Sequence, residues 1–300
     1  MTASPPRYEL LQRRLALFTR MLHGIEHGRA RAVHRARVAS RRLRELLPVL
    51  QLERDVARRT GRRLRRATRH LGAVRELDAL LPLIAALRAA GRFDEAALSR
   101  LADAIAQERA DALTRVSAKL PAADLRRLAA RLEKIAKRLI GDDRGRGAPR
   151  AWRWAIEARV RHRAEALKEA IDDAGQVYLA PRVHAVRIAL KKFRYAVELK
   201  GEVSPDEPLR RHLASLKRTQ GVLGRLHDRQ VLMDRVRQVQ ASLTPPNLSV
   251  WRGLDEVLTA LDKEWRLLHA RYVRAAVSLL VLSGQVVGRR PDVAARLRAM

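Results

Sequence analysis

Cysteine is absent from the 300 residues, which excludes disulfides, thiolate metal centres and cysteine nucleophiles. Aromatic residues supply only 4% of the chain, so any core must be built from Leu, Ala, Val and Ile. Long apolar runs are missing too. The longest, AAVSLLVL at Ala275–Leu282, falls well short of the ~20 residues a membrane-spanning helix needs. The opening MTASPPRYELLQRR holds no apolar signal segment, and the expectation is a soluble, cytoplasmic protein. Negative charge is scarce: 32 Asp and Glu stand against 63 Lys and Arg, for a net charge of +31. An excess of that size repels itself in a compact fold unless a polyanion or counterions screen it. It points to nucleic acid, another polyphosphate or an acidic membrane surface as partner.

Apolar residues make up 47%, enough for a sizeable core, and their spacing is helical almost everywhere. Leu10, Leu11, Leu15, Leu17, Phe18, Met21 and Leu22 form one stripe; Leu101, Ile105 and Leu113 belong to another. No segment alternates with period two. Gly24, Gly28, Pro48, Gly91, Pro121, Pro181, Pro205 and the pair Pro245–Pro246 punctuate long helices. The segment GDDRGRGAP, Gly141 to Pro149, is the best domain boundary, dividing the chain into residues 1–140, a linker 141–149, and residues 150–300. A repeat agrees with that division. Val33, His34, Arg37, Ala39 and Arg44 fall on Val183, His184, Arg187, Ala189 and Arg194. A second block, LGAVRELD from Leu71, falls on LGRLHDRQ from Leu223. Two blocks in the same order argue for a duplicated unit of about 150 residues. The sequence predicts an all-α protein, with each half holding several long antiparallel helices in a bundle.

On a helix, Ala32, Val33, Ala36, Ala39, Leu43, Leu46, Leu47 and Leu50 gather on one side. His34, Arg37, Arg41 and Arg44 line up on the other, with Arg42 and Arg35 beside them. The second copy puts Val183, Val186, Ala189, Leu190, Phe193, Ala196 and Val197 inward. His184, Arg187, Lys191 and Arg194 form its basic row, flanked by Lys192. Such a row extends roughly 15 Å, which suits a chain of phosphates better than one compact anion. Arginine grips a phosphate with two parallel hydrogen bonds, and lysine acts as a point charge. The first row meets no acidic residue until Glu45, so no i,i+4 pair relieves its repulsion. A following stripe holds Arg58, Arg62, Arg65, Arg69, Gly72 and Arg75; its second-half counterpart holds Lys217, Gly221, Gly224 and His227. A mid-helix glycine costs about 1 kcal/mol against alanine. Either another helix packs closely there or the backbone must approach a ligand. Glu76 and Asp228 are expected to pair with an arginine, and Asp78, among apolar positions, to be a buried capping or hydrogen-bonding group.

VHRARVASRRLR, LGAVRELDALL, VHAVRIALKKFRYAVEL and LGRLHDRQVLM together resemble the CHAD family, the conserved-histidine α-helical domains. The resemblance spans roughly Tyr8 to Leu282. It implies two four-helix bundles related by a pseudo-twofold axis; the residues themselves, with acids diluted among arginines, read as a binding protein with no cofactor and not an enzyme. It also implies binding of inorganic polyphosphate on a basic surface and central cavity, with targeting to polyphosphate granules. By motif position the binding residues are His34, Arg37, Arg41, Arg42 and Arg44, then His184, Arg187, Lys191, Lys192 and Arg194. Arg65, Arg66, Lys217, Arg218 and His227 form the supporting set, with Arg69 on the same stripe. Gln230 stands where the family has a second acid, which puts that acid's role in doubt.

Other chemistries fit less well. His34 and His184 each have arginines at i+3, surroundings that disfavour a divalent metal. No receiver or kinase partner supports a phosphohistidine relay. Hydrolysis or synthesis of polyphosphate needs carboxylates placed to hold metals, and the acids here are diluted among arginines. Nucleic acid is the main rival, yet the basic faces lack interleaved aromatics for stacking bases. Membrane insertion is not expected, since Trp152, Trp154, Trp251 and Trp265 are assigned to packing between the bundles.

Overall fold

The structure, a computed structural model, describes residues 5–142, 148–175, 177–244 and 247–288. The core of the expected linker, residues 143–147, lies outside the described residues, as does the expected Pro245–Pro246 break. The described residues form ten α-helices and one 3-10 turn: α1 (Arg7–Thr19), α2 (Leu22–Glu26), α3 (Ala30–Leu46), α4 (Arg54–Ala89), α5 (Glu95–Lys119), α6 (Ala122–Asp142), α7 (Ala148–Ala174), α8 (Ala180–Val203), α9 (Glu207–Ala241) and α10 (Leu248–Val286), with the turn at Leu47–Val49. The fold is all-α.

Local chemistry sets the boundaries. Gly28 and Gly91 sit at φ +62° and +65° after α2 and α4, a left-handed conformation that glycine adopts at no steric cost. Asp94, Asp206 and Asn247 cap α5, α9 and α10, accepting from the backbone N–H of Ala97, Leu209 and Val250 at 2.7, 2.6 and 3.0 Å. Each cap satisfies one of the free amides of a helix start. Pro181 and Pro208 occupy the first turns of α8 and α9, where no amide hydrogen is needed.

The predicted inward faces of α3 and α8 are inward. Val33, Ala36, Leu43, Leu46 and Leu50 are buried, and so are Val186, Leu190, Phe193, Ala196 and Val197. Within the first half α1 packs on α3 and α6, α3 on α4, and α4 on α5 and α6; in the second, α7 packs on α8, α8 on α9, and α9 on α10. Across the halves α3 meets α8, α4 meets α9 and α5 meets α10. Each of these pairs joins a helix to its own counterpart in the repeat.

The tryptophans depart from expectation. Trp152 is buried, and Trp265 lies against Tyr178 edge-on with ring centroids 4.1 Å apart. Trp154 is 75% exposed and Trp251 44%, so neither packs between halves. Residues two positions apart on a helix are separated by about 200°, so the burial of Trp152 turns Trp154 outward. Val250 and Leu254 take the inner face of α10 and leave Trp251 off it.

Candidate functional site

Because α3 and α8 touch, the two basic rows come together. Arg37 of α3 and Arg187 of α8 hold equivalent positions in the repeat, and they repel one another across the junction. Both residues are half-buried. Each buries an Nε that has no hydrogen-bond partner in the protein. Burial, then the charges of Arg41 and Arg187, pull Arg37 down to about 10. Burial first, and Arg41 after it, lower Arg187, while Asp228 and Glu76 oppose them. Lys191 holds the place in α8 that Arg41 holds in α3. Burial, then Arg187, Arg41 and Arg37, push its ammonium down to about 6.

The histidines flank this centre. Arg75 of α4 donates from Nε to His34 Nδ1 at 2.8 Å, which leaves His34 its Nε2–H as a donor. Burial, Arg75, Arg37 and Arg41 lower His34 below the ordinary imidazole value. At the equivalent place in the second half His227 stands where Arg75 stands in the first. The His184 and His227 rings lie 5.1 Å apart, tilted by 46°. Burial, His227, Arg187 and Lys191 lower His184. Glu76 reaches across the halves to accept from His227 Nε2 at 3.3 Å. That hydrogen bond holds its carboxyl below the usual range, against the effect of burial. Glu76 thus bonds a histidine instead of the expected arginine. Asp78 accepts from Arg109 Nε of α5 at 2.6 Å, the buried hydrogen-bonding role foreseen for it.

Gly72 has a reason that the sequence did not show. The Arg37 guanidinium crosses it, with Nε 3.3 Å from where a Cβ would stand. Gly224, its counterpart, faces open space.

A second group forms beside the first. Glu45 is buried and accepts from Arg159 Nε and Arg163 Nε of α7, both at 2.7 Å. Arg44 and Lys192 lie within electrostatic reach of it: burial and then Arg65 lower Arg44, and burial and then Arg163 lower Lys192. Arg159 and Arg163 were not singled out in the sequence. Their i,i+4 spacing on α7 is visible there, but the acid they clamp lies far away in the chain.

Other expected binding residues are placed elsewhere. Arg194 is only 8% exposed. It pairs with Glu198 and donates from Nε to Gln220 at 2.6 Å. Arg42 pairs with the same Glu198 at 3.2 Å. Arg14 extends this clasp, donating to the Arg42 carbonyl at 2.8 Å and to Glu202 at 2.9 Å. Arg66 points toward the end of α5, donating to the Lys119 carbonyl at 2.8 Å. Arg65, Arg69, Lys217 and Arg218 are exposed on α4 and α9. Gln230 accepts from the Tyr178 hydroxyl at 3.4 Å and donates to Asp234 at 3.1 Å.

The structure therefore brings together His34, Arg37, Arg41, His184, Arg187, Lys191 and His227 at the α3–α8 junction, with Arg44 and Lys192 alongside. Such a concentration of partly buried cations suits a polyanion. Among the described residues there is no group of three or more His, Cys, Asp or Glu able to hold a metal ion, and no helix long and apolar enough to cross a membrane.

Comparison with known proteins agrees with this picture. Residues 9–237 match the family described as the CHAD domain. The crystal structure of the CHAD domain from the plant Ricinus communis aligns with a TM-score of 0.57 at 20% identity, covering 96% of this chain and 93% of that one. At that identity the likeness concerns the fold. No curated protein matches the chain.

Proposed function

The chain belongs to the CHAD domain family, whose domains are not enzymes, and from that premise we propose that it binds inorganic polyphosphate along the basic face shared by its two repeats. The repeats, residues 1–140 and 150–300, are two four-helix bundles related by a pseudo-twofold axis in this reading. The observation that supports it most is the meeting of equivalent positions, Arg37 with Arg187 and Arg41 with Lys191, whose charges act on one another across the repeats. Arg37, Arg41, Arg187 and Lys191, from both repeats, lie within electrostatic reach of one another. Arginine–phosphate hydrogen bonds are charge-assisted, each about 1.5–3 kcal/mol before ordering costs. His34, its Nδ1 engaged by Arg75, offers Nε2–H as a further donor. Arg44, Lys192 and the exposed Arg65, Arg69, Lys217 and Arg218 extend the positive field along α4 and α9. Binding of this kind would bring the chain to polyphosphate granules in the cytoplasm.

The test is competition. Polyphosphate should displace duplex DNA at equal phosphate concentration and near-physiological salt, and the double variant Arg37→Gln/Arg187→Gln should lose binding while its helical circular dichroism is unchanged. If DNA displaces polyphosphate, the protein is a nucleic-acid binder; if the double variant binds as tightly as the parent, the site lies elsewhere.

A further inference from the structure

Away from the α3–α8 junction, α4 and α6 enclose a groove of about 660 Å³ near the end of α5. Arg63 and Arg66 of α4 line one wall, and Arg127, Arg131 and Lys134 of α6 the other. On α6 these cations recur at steps of four and three, on α4 at a step of three, so each wall presents them as a stripe. The floor is apolar, formed by Leu125 and Leu128, which are otherwise buried in the core. One carboxylate, Asp124, lines the groove, and it pairs with Arg127. The other four cations, Arg63, Arg66, Arg131 and Lys134, face the same space. Arg66 is fixed in place by its bond to the Lys119 carbonyl. His70, one turn along α4, is lowered by burial and then by the charges of Arg66, Lys119 and Arg69, so the positive field continues from the groove toward the junction.

The two sites share α4. From Gly72, under the Arg37 guanidinium, to Arg66 is roughly 9 Å along the helix axis. The exposed Arg69 lies between them.

We infer that the α4–α6 groove is a second phosphate-chain subsite, and that a long chain occupies it and the junction together. This rests on the polyphosphate reading of the junction. Ser215 stands where Arg63 stands in the first repeat, so α9 does not repeat the Arg63–Arg66 pair of α4. A chain held at both places gains effective concentration at the second from binding at the first, which raises affinity without any new kind of contact. A short oligophosphate fills one subsite at a time.

Isothermal titration with tripolyphosphate and with long-chain polyphosphate tests this. The groove variant Arg127→Glu/Arg131→Glu changes exposed side chains. Arg131→Gln/Lys134→Gln is a milder version that only removes charge. Arg271→Glu/Arg274→Glu on α10 is the control for net charge. The parent should bind two equivalents of tripolyphosphate, and the groove variants one. Long-chain affinity should fall at least about tenfold in the groove variant beyond the change in the α10 control. A groove variant that keeps the parent stoichiometry and differs from the control by less than twofold overturns the second subsite and leaves the junction reading intact. Loss of long-chain binding in the groove variant with Arg37→Gln/Arg187→Gln unaffected overturns the junction reading instead.

Discussion

Lys191 stands in the second repeat where Arg41 stands in the first, and the exchange makes one half of the face sensitive to pH. An arginine stays charged, whereas burial and three arginine neighbours push the lysine down to about 6. A phosphate chain favours the ammonium, so binding takes up a proton across the window between about 6 and the ordinary lysine value. Polyphosphate affinity should therefore rise as pH falls from about 8 to about 6, with His184, also lowered, adding to the slope at its lower end. Lys191→Arg should flatten this profile, and titration calorimetry in buffers of different ionisation enthalpy measures the proton uptake directly. The unliganded fold behaves oppositely. Over the same window the unfolded chain binds the proton that the folded chain lacks, so stability grows with pH. Lys191→Met should raise the melting temperature near neutrality, with the gain shrinking as pH approaches the ordinary lysine value. The helical phase that puts Arg37 and Arg187 on one face is legible in the sequence. The burial of Arg194 is not, because it depends on Glu198 one turn on and on Gln220 of the next helix.

At the scale of helices, the glycines Gly72 and Gly224, equivalent in the repeat, differ in what a Cβ would meet. A Cβ at position 72 would press on the Arg37 guanidinium, whereas one at position 224 meets nothing. Gly72→Ala should stabilise α4 by up to about 1 kcal/mol and yet weaken polyphosphate binding severalfold. Gly224→Ala should give a similar stabilisation and leave binding unchanged; thermal melts paired with titrations separate the two. Gly253 acts differently. A Cβ there would stand 2.8 Å from Asp94 Cβ and 2.9 Å from Ala97 Cβ, so Gly253→Ala must push α10 away from the start of α5, at a cost of about 1–3 kcal/mol. Helix existence and the inward faces of α3 and α8 follow from the apolar spacing. The Asp94, Asp206 and Asn247 caps were not singled out in the sequence, although each is an acid or amide standing before a helical run. The partner of a glycine was not readable, because the side chain that crosses Gly72 comes from another helix.

For the whole molecule the net charge of +31 sets the terms. Moderate salt screens the self-repulsion of the unliganded chain and should raise its melting temperature, while weakening polyphosphate binding by counterion competition. Saturating polyphosphate should raise the melting temperature further through binding to the native state alone, and differential scanning fluorimetry across a salt series shows both trends. The duplication was legible because two blocks recur in register; the clasp between halves was not, because Glu198 has no repeat partner to reveal it. Glu198→Gln leaves Arg42 and Arg194 without their countercharge and should cost about 3 kcal/mol of stability. The clasp also bears on symmetry. The position in the first repeat that corresponds to Glu198 is Pro48, and the one that corresponds to Glu202 is Leu52. Two copies of the first repeat would bring their arginines together with neither carboxylate to join them. The halves are thus lock and key: the carboxylates that join them belong to the second alone, and a symmetric dimer of the first repeat would have nothing to close it.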